Sequence, residues 1–303
     1  MSKYFDTKNL TFMEPKVIEN GNHMIMTNVH NEQKTKYINI DTRFQQEHNM
    51  NTTADYVISL PQTLRDVQSM KMISAEIPIS FFPFSLAFKN TYFTVTYGAS
   101  PQTTKLVLID DGNYTITTLL SEINTKMNIT GLSLVESEHN TCTIDNSTGN
   151  PVTIDFAVDE AGNDDKYMLK SKLGWCLGFR NPTYIIGDTL KLHSESLYTL
   201  QPCKYLYLSI DDYHSHNPNS FLVPGFQSFF DTNIVARISL NPFYYNYGTI
   251  LVANSNSDLI SDIRSYKGKT DIQKLRIILY NEFGEKVDLN DMDLSFALEL
   301  KCL

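Results

Sequence analysis

From Lys36 to the end of the chain, short apolar segments follow one another at close spacing, each closed by a cluster of Asn, Asp, Gly or Pro. A segment that alternates apolar and polar residues has a face to bury as a strand and none as a helix, so this punctuation commits most of the chain to β-structure. Strands are expected at 36–40, 55–60, 67–79, 92–97, 104–109, 132–137, 141–145 and 152–158, and again at 205–210, 233–240, 248–252, 272–280 and 294–300. Within 67–79, the residues Val67, Met70, Met72 and Ile77 do not keep one period, which predicts a bulge or bend. Residues 146–150 carry turn chemistry suited to a hairpin between 141–145 and 152–158.

One helix interrupts the pattern. Ile116, Leu119, Leu120, Ile123 and Met127 recur at helical spacing, with Thr115 or Asn113 placed to cap the start, so an amphipathic helix over about 115–128 is expected to lie on a sheet. A second, short helix is expected from Lys166 to Leu173, ended by Gly174, with Gly178 closing the next turn. A dozen strands with one good helix exclude a βαβ fold, which needs a helix between successive strands. The fold class is mainly all-β, an antiparallel β-sandwich. Neither an internal repeat nor a linker is visible. Residues 1–35 read as an extended amino-terminal arm and 36–303 as one domain with insertions.

Composition narrows the function. The 303 residues include 17 Tyr and 17 Phe, enough to fill a large core, while only 19% are charged. The net charge of −9 and the lack of a Lys/Arg run argue against direct nucleic-acid binding. No apolar run approaches the roughly 20 residues of a membrane span, and MSKYFDTKNLTF lacks the apolar core of a secretory signal. Cys142, Cys176, Cys203 and Cys302 form no CxxC pair, so they read as small buried hydrophobes in a reducing compartment.

Catalytic constellations are sparse. His214 and His216, two apart and preceded by Asp211 and Asp212, have the spacing of metal ligands on one strand edge, but DDYHSHNPNS reads better as a solvated turn. The pairs Asp110-Asp111, Asp164-Asp165 and Asp211-Asp212 abut turn residues. Strand neighbours point to opposite faces, so these are expected to be exposed turn carboxylates rather than acid/base couples. No nucleophile elbow, phosphate loop, dinucleotide fingerprint or HExxH occurs. The expectation is a non-enzyme with no catalytic, metal or cofactor residues. Two aromatic clusters, Phe81-Phe82-Pro83-Phe84 with Phe88 and Phe243-Tyr244-Tyr245-Asn246-Tyr247, suit either loop anchoring in the core or contact with another subunit.

The order of several segments resembles the minor capsid and penton proteins of large icosahedral double-stranded DNA viruses of eukaryotes, the nucleocytoplasmic large DNA viruses. The segments are YINIDTRF from Tyr37, DYVISLP from Asp55, Val67 through SAEIP ending at Pro78, and GNYT from Gly112. They continue with LGWCLGF from Leu173, IVARI from Ile234, RSYKG from Arg264, IQKLRI from Ile272 and NEFG from Asn281. The resemblance implies a single jelly roll whose insertions absorb the extra strands and the helix. It implies a virion protein assembled in the host cytoplasm, without catalysis or cofactor, as a pentamer at a fivefold vertex, with the major capsid protein and other minor capsid proteins as partners. A minor position beneath or between the capsomers is the alternative within that family.

Two rivals stand outside it. A β-sandwich that binds glycans or a receptor would use Trp175 and tyrosines as stacking platforms, although Trp175 sits in the apolar run LGWCLGF and reads as core. A hydrolase built on His214 and His216 ranks third.

Overall fold

The structure is a computed structural model that describes residues 33–44, 55–165, 168–214, 233–241 and 246–303. In chain order these form β1 (Lys34–Asp41), β2 (Asp55–Pro78), β3 (Tyr92–Tyr97), β4 (Thr103–Leu108), α1 (Ile116–Met127), β5 (Leu132–Ser137), β6 (Thr141–Asn146), β7 (Val152–Asp155), α2 (Leu173–Cys176) and β8 (Thr183–Ile186). They continue with β9 (Lys191–His193), β10 (Tyr205–Asp211), β11 (Ile234–Ser239), β12 (Ile250–Asn254), β13 (Leu259–Ser261), β14 (Arg264–Tyr280) and β15 (Ser295–Cys302). Of the arm expected over 1–35, residues 1–32 lie outside the described residues, while Lys34 and Thr35 already pair with Cys302 and Lys301.

The segments expected at 55–60 and 67–79 are one long strand that turns a corner at Asp66, where φ is +56°. Its irregular apolar spacing has a direct cause in the register against β15. Ala297 faces Ser74 but Leu298 faces Met72, and Lys301 faces Ser69 but Cys302 faces Val67. Ile73 and Gln68 are each an extra residue, so two bulges reset the alternation and keep Val67, Met70, Met72, Ala75 and Ile77 all inward. β14 likewise bends, around Gly268 at φ +100°.

Because β2 and β14 each run through two layers, one hydrogen-bonded path, β1-β15-β2-β14-β10-β11-β13 with β12 on β2, folds over on itself. One layer is β1, β15, the second half of β2, and β12. The other is the first half of β2, the second half of β14, β10 and β11, extended by β13. Counted as eight passes along the chain, the layers hold passes 1, 8, 3, 6 and 2, 7, 4, 5, all antiparallel: the order of a jelly roll. Between the layers lies one core, including Ile40, Met72, Phe296 and Leu298 from one side and Leu208, Ala236, Ile277 and Leu279 from the other.

The extra elements are a single insertion. Residues 79–204 leave the sandwich after β2 and return at β10, carrying a sheet β4-β3-β7-β8, a sheet β5-β6-β9 and both helices. They bury a second cluster, including Phe93, Leu119, Ile123, Ile144, Phe156 and Phe179. α1 covers β4 and β5 with Leu119, Leu120, Ile123 and Met127. Thr115 caps it, its hydroxyl accepting from the Thr118 amide at 3.3 Å, and Asn128 ends it in the left-handed region.

Two local expectations are corrected. The 146–150 segment is not a hairpin: β6 pairs with β5 and β9, whereas β7 pairs with β3 and β8. The buried Asn146 amide donates to the carbonyls of Asn150, Ile186 and Gly187, and its oxygen accepts from Thr148, so the turn hands the chain from one sheet to the next. Of the second helix, Lys166 and Tyr167 lie outside the described residues. A short 3-10 turn occupies Leu169–Ser171, and Gly174 sits inside α2 rather than ending it. A Cβ on Gly174 would stand 2.3 Å from the Phe156 ring, so this glycine is there for close packing, while Gly178, at φ +95°, does close the following turn.

Candidate functional site

Of the residues with the spacing of metal ligands, those the structure describes are otherwise engaged. His214 Nε2 lies 2.9 Å from the Asp271 carbonyl, and Asp211 accepts from the Tyr213 amide, a turn cap. His216 lies outside the described residues. Asp212 departs from the expected exposed carboxylate: it is buried, accepts a 2.6 Å hydrogen bond from Tyr266 Oη and lies 3.4 Å from the buried Arg264 guanidinium. Arg264 also donates to the carbonyls of Ile210 and Asn233, so it pins together the two roots of the connection from β10 to β11. Among the described residues, no group of three or more His, Cys, Asp or Glu side chains is placed to hold a metal.

The other carboxylate pairs are also structural. Asp110 meets Lys126 at 2.9 Å on α1, and Asp111 accepts from the Leu86 amide. Asp165 meets the fully buried Lys172, whose ammonium also donates to the Val158 carbonyl and lies 5.2 Å from the Tyr92 ring centre. Beside this pair, where the insertion meets the turn after β14, is a cavity of about 190 Å³ with Lys89 and Glu285 on its wall. Two ammonium and two carboxylate groups leave no excess of either sign there. Burial raises the carboxyls of Glu282 and Glu285 above their ordinary range, and the Glu282 carboxylate caps the Lys204 amide at 2.8 Å.

All four cysteines are buried and unbridged, and burial pushes the thiols of Cys142 and Cys176 up to about 12, which removes the thiolate needed for nucleophilic work. Trp175 is corrected from core to a half-buried position: the Arg180 guanidinium sits 4.2 Å from the centre of its ring and the Lys170 ammonium 6.0 Å. The first aromatic cluster is anchoring. Phe81 and Phe88 enter the sandwich core while Phe84 enters the insertion core, which makes this segment the seam between them. Phe82 instead stacks on the exposed Tyr247 at 6.0 Å and 9°. Phe243, Tyr244 and Tyr245 lie outside the described residues.

In the layer β1-β15-β2-β12, the two end strands have no further strand paired to them among the described residues. Both carry outward apolar side chains: Tyr37 is 66% exposed on β1, and Ile250 and Val252 are 65% and 58% exposed on β12. Phe44, at 77%, lies just past the end of β1, and Ile260 and Ile263, at 52% and 48%, lie on and just after β13, which follows β12 in the chain and pairs with β11. Unpaired, apolar strand edges are a liability in a monomer and an asset in an assembly. Sequence reading missed these positions because the same alternation describes an outward residue facing water and one facing a neighbour. A signal was present in Ile250 and Val252, apolar at both alternate positions around an inward Leu251.

No protein-family model matches the chain, and no curated protein matches it in sequence. Among solved structures, the mavirus penton protein is similar to it at a TM-score of 0.43 with 9% sequence identity, over 89% of this chain and 100% of that one. No helix among the described residues is long and apolar enough to cross a membrane.

Proposed function

We propose that this chain is a structural capsid protein of an icosahedral double-stranded DNA virus, placed at the fivefold vertex as a pentamer. The observation that carries the reading is the sandwich itself, in which eight passes in jelly-roll order keep both end strands of one layer unpaired among the described residues. The ordered resemblance of segments from Tyr37 to Gly284 supports the same reading: most of these segments supply strands and turns of that sandwich, while residues 112–115 and 173–179 lie in the insertion. A jelly roll tolerates a long insertion at one end because the inserted residues carry their own core. Cyclic assembly then needs two different patches per subunit, on opposite sides.

In this reading the virion is the site of action, assembly takes place in host cytoplasm, and the major capsid protein and other minor capsid proteins are the neighbours. No catalytic or cofactor role is assigned. Residues 1–32 serve as a tether between subunits. The glycan-binding alternative loses its best platform, because Arg180 already stacks on Trp175. Mass photometry of the full chain across concentration, beside a glycan array, separates the two readings: concentration-dependent closed oligomers support the capsid, and saturable sugar binding by a monomer overturns it.

A further inference from the structure

We infer that the two open sides of the sandwich are the two halves of one heterologous contact, β12–β13 of one copy seating against β1 of the next. This rests on the reading above and goes beyond it by naming the surfaces. β1 and β12 lie at opposite ends of a four-stranded layer, about 14 Å apart at the usual strand spacing, and β13, which follows β12 in the chain, pairs with β11 in the other layer. A patch at one end therefore cannot touch itself and the other end at once.

Their chemistry is complementary rather than alike. On β1, Tyr37 is exposed on the outward face, Lys34 and Lys36 are exposed on the opposite face of the same strand, and Phe44 is exposed just past its end. The β12–β13 side presents four exposed aliphatic residues, Ile250, Val252, Ile260 and Ile263, with the half-buried Asp258 and the exposed Asp262. Aromatic rings against branched aliphatics and ammonium against carboxylate favour the pairing of unlike sides. Like sides would bring Lys34 and Lys36 against their own copies, or Asp258 and Asp262 against theirs. A contact between unlike sides repeats in one direction, and a ring closes it without leaving an exposed end. The edges of β1 and β12 that are unpaired among the described residues are then covered by a second copy of the chain.

Sedimentation velocity of the full chain and its variants tests the assignment. I250D/V252D alters only the β12 side, and K34E/K36E/Y37D alters only the β1 side. All five substituted positions are exposed, and circular dichroism with thermal melting verifies that each variant keeps its fold. Each variant alone should require at least tenfold more protein to assemble. Mixed in equal amounts, they should form a two-chain species and nothing larger, since only one competent pair of sides remains. The charge reversal K34E/K36E/D258K/D262K should regain assembly relative to K34E/K36E. Wild-type rings with undiminished assembly of both variants would overturn the surface assignment while leaving the capsid reading in place. A wild-type chain that stays monomeric would overturn both.

Discussion

At the residue scale, the clearest dependence is on Arg264. Its guanidinium holds the Ile210 and Asn233 carbonyls and faces Asp212, and both side chains of the pair are almost wholly buried. Removing one member strands the other charge without water, a cost of about 3–5 kcal/mol. Arg264→Met should lower the urea midpoint accordingly, and Arg264→Met with Asp212→Leu should cost less than the sum of the single changes. A second residue-scale case is Gly174→Ala, whose new methyl group overlaps the Phe156 ring. A loss of about 1–3 kcal/mol is expected in the same assay. Neither position was legible in the chain, for one physical reason: both depend on a partner far away in sequence. DDYHSHNPNS has the composition of a solvated turn, and nothing local reveals that Arg264 will reach Asp212 from another strand. Trp175 failed in the opposite direction, since an apolar run says that a segment is buried but not which of its side chains faces out.

At the element scale, β2 shows how much a pattern can carry. The broken period over 67–79 correctly marked an irregular strand, and the two bulges supply the irregularity. The fusion of that strand with 55–60 was not legible, because Pro61 and the polar residues up to Asp66 read as a turn, whereas the structure uses them at a corner of one continuous strand. The start of β2 is also held by charge. Asp55 accepts a two-point contact from Arg276, both distances 2.8 Å, and a further bond from Lys286. The Arg276 hydrogen bonds, followed by Lys286, hold its carboxyl below the usual range. A carboxylate whose pKa is depressed on folding contributes stability above its unfolded value, about 3.9, and loses that contribution as pH falls through the folded value. Asp55→Asn should therefore cost about 1 kcal/mol at pH 7, the cations being partly solvated, and the difference from the parent should vanish in acid. Thr115→Ala tests α1 in the same way, with an expected loss of about 1 kcal/mol and no change in assembly.

At the scale of the whole molecule, the β-sandwich class and the one long helix were readable because both rest on local periodicity. The partition into a sandwich and an insertion was not. A linker is recognised by small polar residues, yet here the outgoing chain crosses through Ile79, Phe81 and Phe84 and the returning chain through Cys203, all buried. The seam is welded by apolar packing, so composition runs straight through it. The exposed apolar end strands were hidden for a related reason: an outward Ile on an end strand becomes informative only once the layer order shows that no further strand among the described residues lies beside it. Deletion of residues 1–32 belongs to this scale too. Since β1 begins at Lys34, the truncated chain keeps every described strand, and the deletion should reduce closed oligomers more than it lowers the melting temperature. The central claim is that this jelly roll closes into a fivefold ring through unlike sides. Cryo-electron microscopy of the purified, concentrated full chain measures that symmetry directly: class averages with five subunits around one axis are predicted, and averages showing only monomers or two-fold dimers would contradict the account.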